Sequence, residues 1–415
     1  MPSSLQSLID EINVDRINID FDQRKGHDEG VTTYVRAPEA ARILGVSHST
    51  LYAYVSRGRV SRVRAADGRT SLFAVDELDA VRASGRRNDQ APRPTIDVQI
   101  ASAITKLGDD GVELRGYPLT ALLAEHSFED VAELLISGAL PAEPVTWPGA
   151  DPDDRKAVTS TLRSVRVGPI ARLTIAATVL GGLHPDDDTA TAARRVVLAC
   201  PTALAANAAP LTGRFARRLA GAWITRPTPA LVDAIETALV LLADHELATS
   251  TLAVRVAASV RASPYAALVA GLSTVEGALH GSAMSAVHRF LEECMRDDPA
   301  TSVARARAER RHIPGFGHKI YRHTDPRFAP LLAAARRVAP DDIRFDVIDA
   351  VLAEVARTIP TQPNVDFALG SLSWVAGLPD EAPIFAVARL AGWAAHYEEE
   401  LGEPPVRFRG LARTP

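Results

Sequence analysis

Cysteine is nearly absent, with Cys200 and Cys294 the only two in 415 residues. Thiols so few and so far apart staple no small scaffold and form no CxxC pair, and their scarcity suits a reducing, cytoplasmic setting. No basic segment followed by an apolar one opens the chain, so no export signal is expected. Long apolar runs are missing too. The stretch around Leu239 to Ala243 is far short of the roughly 20 residues that a membrane helix needs. Aromatic residues make up only 5% while hydrophobic residues reach 47%, and the abundance of Ala and Leu favours closely packed helices over sheets. There is no internal repeat. Nor is there a surplus of positive charge: a net charge of -5 excludes a chain that coats nucleic acid along its length, so any such contact must be local.

What is present falls into parts. A chain of this length is expected to hold two or three domains. Residues 1 to 30 are polar and weakly patterned, and read as a poorly ordered lead-in. From Val31 two short helical patterns follow, over Pro38 to Leu44 and Ser49 to Ser56, with Gly45 at the turn between them. The segment RVSRVRAADGRTSLF then alternates and turns on Asp67-Gly68, a tight-hairpin dipeptide, and reads as a wing. A last helix over Val75 to Ala83 closes a module at residues 31 to 86. Gly, Pro and charge mark 87 to 94 as a linker, and a second region runs from residue 95 to 415. That region shows amphipathic stretches of helical period punctuated by Pro and Gly at 138 to 153, 312 to 317 and 359 to 364. The expected class is all-α, with functional residues in the corners between helices.

The module is basic. Between Val31 and Phe73 seven arginines face two acids, Glu39 and Asp67, for a local +5. The residues AARILGVSHSTLYAYVSRGRV and FAVDELDAVR resemble the winged helix-turn-helix of the MerR and excisionase type. That resemblance implies a second helix, opened by Ser47, Ser49 and Thr50, in the major groove of duplex DNA, with Arg57, Arg59 and the wing arginines on phosphates. The alternative is a packing or dimerisation appendage whose arginines are simply solvated.

Polar residues then recur where packing alone would not select them. ADHELATSTLAVRVAAS carries His245. VEGALHGSAMSAVHRFLEE carries His280 ahead of a helix from about Ser282, where the positive end of the helix dipole disfavours imidazolium. IPGFGHKIYRHTDPRFAPLL carries Gly315 and Gly317, which allow close backbone approach to a ligand, then His318 and, after an Asp-Pro turn, Arg327. PTQPNVDFALGS sets Asp366 at the start of an apolar helix. Arg389 lies on the apolar VARLAGWAAHYEEEL, and Arg407 in VRFRG. Any one of 11 histidines is more often a surface or hydrogen-bonded core residue than a catalyst. As a set they supply an electrophilic pair, a base and a dicarboxylate clamp. Metal binding is the competing reading, but no His pair sits at i, i+4 with acids, so no metal is expected.

The opening GVELRGYPLTALLAEHSFEDVAELLISGALP and the motifs HELATST, GALHGSAMSAV, PGFGHKIYRHTDPR, PNVDF and ARLAGWAAH, in that order from about Thr95 to the C-terminus, resemble the citrate synthase family. The resemblance implies a homodimer of large and small helical domains, the small one mainly at about 282 to 375, closing over its ligands. It implies that Asp366 deprotonates the methyl group of acetyl-CoA, that neutral His280 donates to the thioester oxygen, and that His318 polarises and protonates the oxaloacetate ketone. His245, Arg327 and Arg389 would hold the dicarboxylate, and Arg407 would serve the partner subunit's site. CoA would lie along Pro314, Gly315, Phe316 and Gly317. No cofactor is implied beyond the CoA thioester substrate, and the reaction is that of the tricarboxylic acid cycle.

The chain also departs from the family pattern. Ala248 and Met284 stand where small or amide residues are usual, Leu390 replaces a common Thr, the end reads VRFRG, and the stretch from about Pro141 to Ala243 is short. These changes touch substrate identity more than reaction class, leaving 2-methylcitrate synthesis as an alternative. A DNA-binding metabolite sensor on the same fold is the other alternative. Such a sensor would need the binding residues but could dispense with Asp366 and His280, and both are present.

Overall fold

The structure is a computed structural model and describes residues 17–18, 33–56, 60–65, 70–75, 77–78, 81, 99–108, 111–205, 212–278, 280–309, 312–318, 321 and 324–410. The chain divides into two compact units, Met1–Ile100 and Ala101–Pro415. The linker expected at 87 to 94 lies outside the described residues.

Among the described residues the first unit sets two helices, with further helical residues at 75, 77–78 and 81 where a last helix was expected, beside a small antiparallel sheet of order β1-β2-β4-β3. The strands are β1 (Ile17–Asn18), β2 (Thr33–Arg36), β3 (Val63–Arg64) and β4 (Ser71–Ala74). Ile17 and Asn18, in the stretch expected to be weakly ordered, pair with Tyr34 and Thr33. The rest of residues 1 to 30 lies outside the described residues, as do Asp67 and Gly68, although the strands flanking them pair as a wing hairpin would. Helix α1 (Ala37–Leu44) has Pro in its first turn and ends on Gly45 at φ 68, the left-handed position where glycine escapes the Cβ penalty. Helix α2 (His48–Ser56) follows at once. Val35, Ala40, Ala41, Leu51, Val60, Phe73 and Leu78 form the core of this unit.

The second unit opens on a feature that the sparse strand signals did not reveal. Strands β5 (Thr105–Gly108), β6 (Gly111–Leu114) and β7 (Tyr117–Pro118) form a three-stranded antiparallel sheet. The turn between β6 and β7 uses Arg115 at φ 47 and Gly116 at φ 84, both positive as a two-residue hairpin requires, but without the Asn-Gly or Asp-Gly that advertises one.

Fifteen further helices follow among the described residues: α3 (Leu119–Glu125), α4 (Phe128–Ser137), α5 (Pro152–Arg163), α6 (Pro169–Leu183), α7 (Thr189–Leu204), α8 (Phe215–Ala220), α9 (Pro229–Leu242), α10 (Thr249–Ser259), α11 (Pro264–Val275), α12 (Ala283–Asp297), α13 (Pro299–Ala308), α14 (Phe328–Val338), α15 (Arg344–Thr358), α16 (Val365–Val375) and α17 (Ile384–Leu401). Proline opens five of them, at 152, 169, 229, 264 and 299, where its missing N–H forfeits no bond. Helix α17 is buried along most of its length and packs on α4, α7, α9, α10 and α11. Small residues make that approach feasible: a Cβ on Gly392 would sit 2.3 Å from Asp244 Oδ1, and one on Gly271 would sit 2.8 Å from the Trp393 ring. Within 282 to 375, α12 and α14 both pack on α16, and α13 packs on α15. No helix among the described residues is long and apolar enough to cross a membrane.

Candidate active site

Four chain corners and one helix converge on one cavity of about 150 Å³. Its walls include His245, Ala248, His280, Met284, His318, Arg327, Asp366, Phe385 and Arg389. His245 lies between α9 and α10, where the backbone reverses at Glu246 with φ 55. His280 precedes α12, His318 and Arg327 flank the entry to α14, Asp366 starts α16, and Arg389 rides on α17.

Asp366 is held by its neighbour. Asn364 caps α16, its side chain accepting from the Asp366 and Phe367 N–H groups, which fixes the first turn and so the carboxylate upon it. That carboxylate accepts no hydrogen bond from the described residues and keeps part of its surface open to the cavity. Burial lifts its pKa above the usual carboxylate range, outweighing the lowering by Arg327 and Arg389.

The three histidines are biased the other way. His280 is pushed down by burial first and by the Arg389 charge second. Its Nε2 meets Ser250 Oγ at 2.8 Å, and its ring stands edge-on to Phe385 at 5.8 Å. His318 is lowered by burial and then by Arg327. Its Nδ1 accepts the Tyr321 backbone N–H at 3.2 Å. Since an amide N–H can only donate, neutral His318 carries its proton on Nε2. His245 is driven far below the ordinary histidine range by burial together with Arg327 and Arg389, and its Nε2 meets the Tyr321 hydroxyl at 2.8 Å.

The arginines differ in what they leave free. Arg389 is buried, donates from Nε to Leu242 O at 3.0 Å, and leaves Nη1 without a partner. Burial pushes its pKa down to about 10. An unsatisfied buried guanidinium on a cavity wall suits an anion that completes its bonds. Arg327 already forms a fork with Asp325, at 2.9 Å from both Nε and Nη2, and Asp325 also accepts from the Val365 N–H at 2.9 Å. The structure does not bring Arg407 to this cavity in its own chain. Its Nε donates to the buried Glu400 at 2.6 Å and its Nη2 to the second Glu400 oxygen.

The Pro314 to Gly317 loop corrects one expectation. The close approach that Gly315 permits is to protein: at φ 77, a Cβ there would lie 2.6 Å from Phe367 Cβ. Phe316 meets Phe367 edge-on, 5.0 Å between ring centres. Gly317 and His318 line an open cavity of about 520 Å³ with Tyr321 and residues 360 to 363, so His318 faces both spaces. Sequence reading passed over Tyr321, Asp325, Ser250 and Phe385 as site residues and took Asn364 only as positioning Asp366. All but Phe385 lie inside the motifs HKIYRHTDPR, PNVDF and HELATST, which was the available signal. Among the described residues no three His, Cys, Asp or Glu side chains are grouped to hold a metal ion.

In the first unit, Ser47 Oγ accepts the Thr50 N–H at 3.2 Å and lies 2.9 Å from both Ser49 Oγ and Thr50 Oγ1, so these hydroxyls start and stiffen α2. Arg57 and Arg59 lie outside the described residues.

Comparison with known proteins gives this geometry its context. The family described as "Citrate synthase, C-terminal domain" matches residues 97–409, and "Helix-turn-helix domain" matches residues 34–86. The 2-methylcitrate synthase of Mycobacterium tuberculosis (strain H37Rv) is 32% identical over 314 residues, which span 69% of this chain and 80% of that protein. Citrate synthase 2 of Bacillus subtilis (strain 168) is 29% identical over 338 residues, spanning 73% and 90%. The crystal structure of citrate synthase from Thermotoga maritima MSB8 aligns with TM-score 0.64 and 25% identity over 76% of this chain and 92% of that one. The enzyme of the thermophilic archaeon Thermoplasma acidophilum, solved as a ternary complex with carboxymethyl coenzyme A and oxaloacetate, shares the fold at TM-score 0.66 and 22% identity, over 77% and 95%. With the family pattern matched across most of the chain and relatives covered over most of their length, this protein belongs to the citrate synthase family.

Proposed function

We propose that the protein condenses acetyl-CoA with oxaloacetate and hydrolyses the product to citrate and CoA, the citrate-forming step of the tricarboxylic acid cycle. The observation that carries this reading is one cavity wall holding a carboxylate raised in pKa, two histidines lowered in pKa and an arginine with a free N–H. A thioester α-proton is too weak an acid for a carboxylate alone, so stabilisation must come at the oxygen as charge develops there. Asp366 takes that proton while His280 donates to the thioester oxygen of the enol. The enol carbon then attacks the ketone carbon of oxaloacetate, and the new alkoxide receives the His318 Nε2 proton. Arg389, with His245 and Arg327, holds the carboxylates. Water finally cleaves the thioester, releasing the CoA thiol.

CoA itself lies along the Pro314 to Gly317 loop and the open cavity beside it, and nothing further is needed as a cofactor. The working protein is a cytoplasmic homodimer, with Arg407 completing the partner's site. Propionyl-CoA, giving 2-methylcitrate, is the second reading, favoured by the apolar Ala248 and Met284 on the cavity wall. Purified protein with acetyl-CoA, oxaloacetate and a thiol reagent tests the proposal. Thiol should appear only when oxaloacetate is present, and its release without oxaloacetate, or in neither case, overturns the reading.

Residues 31 to 86 bind duplex DNA through the exposed face of α2, in support of which stand the local +5 charge and the exposure of Ser47, Ser49 and Tyr52. Mobility shift of promoter fragments by the full chain should weaken steeply as salt rises, because each neutralised phosphate releases counterions. No shift at low salt would make the module an appendage.

A further inference from the structure

The catalytic cavity has a neighbour. Gly281, Met284 and Phe385 line the pocket of about 150 Å³ and also a second space of about 330 Å³, so these three form a shared wall. The second space has an apolar interior built partly from the buried Ala382, Pro383 and Ala386, with Ile170 and Ala171 from the first turn of α6. Its charged residues, Glu276, Arg289 and Glu381, are exposed and make a rim.

Two members of the shared wall are fixed. A Cβ on Gly281 would lie 2.1 Å from Val275 O, which leaves no room for a side chain there. The Phe385 ring is held between the His280 ring, 5.8 Å away edge-on, and the Arg389 guanidinium 4.8 Å above it. Met284 is different: an unbranched thioether turns about three bonds and adapts to what lies beside it.

We propose that the second cavity receives the alkyl tail of an acyl-CoA longer than acetyl, with Met284 as the gate that admits it, so that the thioester substrates include linear acyl-CoAs of four or more carbons. This rests on the reading of the first pocket as the condensation site. There the thioester carbonyl lies beside His280 and the α-carbon beside Asp366. A substituent on that α-carbon needs room beyond the small pocket, and on the far side of Met284 and Phe385 lies the second space, lined in part by apolar residues. The chemistry is unaltered, because a longer linear acyl group keeps two α-hydrogens. Asp366 removes one, the α-carbon bonds to the ketone carbon of the oxo acid, and the product retains the alkyl branch.

Each methylene moved from water into an apolar cavity strengthens binding about fourfold. The full-length protein, assayed for thiol release with oxaloacetate and acetyl-, propionyl-, butyryl- or hexanoyl-CoA, should therefore show kcat/KM that rises with chain length. Ala171→Phe fills the second cavity from a partly exposed position, and should lower the ratio of butyryl to acetyl kcat/KM at least tenfold. Met284→Ala should raise the hexanoyl to acetyl ratio. Ratios are read within one protein preparation, so a loss of folded material cancels. Turnover of acetyl-CoA with butyryl-CoA as a poorer substrate would overturn the tail pocket and leave the condensation reading standing. Turnover of long acyl-CoAs with a ratio unmoved by Ala171→Phe would put the tail elsewhere and also overturn it. Absence of thiol release from every thioester, acetyl-CoA included, would bring down both.

Discussion

Asp366→Asn lowers kcat by about 10²- to 10⁴-fold, the range for loss of a positioned general base, while the variant melts at or above the wild-type temperature. The second half of this result separates chemistry from architecture. A carboxyl whose folded-state pKa is raised binds its proton more tightly when folded than when unfolded. At pH above the ordinary carboxylate range it therefore subtracts from stability, and a neutral amide removes that penalty. The same shift sets the pH dependence. His280 and His318, both lowered, stay neutral to below the usual histidine range. The acid limb of kcat/KM should thus include the protonation of Asp366, above the ordinary aspartate value. Thiol release at several pH values and thermal melts of both proteins check these points. Wild-type turnover by Asp366→Asn would remove the residue from the mechanism.

Chains carrying Arg407→Ala and chains carrying Asp366→Asn, each inactive alone, recover activity when co-refolded. If Arg407 serves the neighbouring site, a mixed dimer gathers both defects in one site and leaves the other whole. Random pairing of equal amounts then restores about a quarter of wild-type specific activity. The contact within the chain makes this a demanding test. Arg407 is forked onto the buried Glu400, which also receives Arg255 Nε at 2.8 Å. Mixed dimers that form, with both parents folded, yet stay inactive would assign Arg407 to that internal contact instead.

Much of this site was legible because its residues sit in short, distinctive strings. Asn364 before Asp366, and glycines around His280 and His318, announce helix starts and tight corners that local rules can read. What those rules could not supply was environment. The depression of His280 comes mainly from burial and from Arg389, more than 100 positions along the chain, and no window of sequence reports either. Arg327 was read as a carboxylate clamp placed by an Asp-Pro turn, but that the Asp325 of this turn is itself its ion-pair partner was not read. Gly315 was read correctly as a point of close approach, but what approaches is Phe367. The sheet at 105 to 118 escaped because its tight turn is made by Arg115 and Gly116, where arginine takes a positive φ that its side chain does not advertise.

The seam between the 312–317 loop and the start of α16 has a mechanical consequence. Gly317 donates its N–H to Gln362 O at 2.8 Å, Asn364 donates its N–H to Gly315 O at 2.9 Å, and the Asn364 side-chain amide donates to Gly317 O at 2.8 Å. With Phe367 wedged where a Cβ on Gly315 would be, the two segments have no slack between them. They behave as a single stiff cantilever, with the loop at one end and the Asp366 carboxylate at the other. A displacement of the loop is therefore expected to carry the first turn of α16, and with it the Asp366 carboxylate, in the same direction.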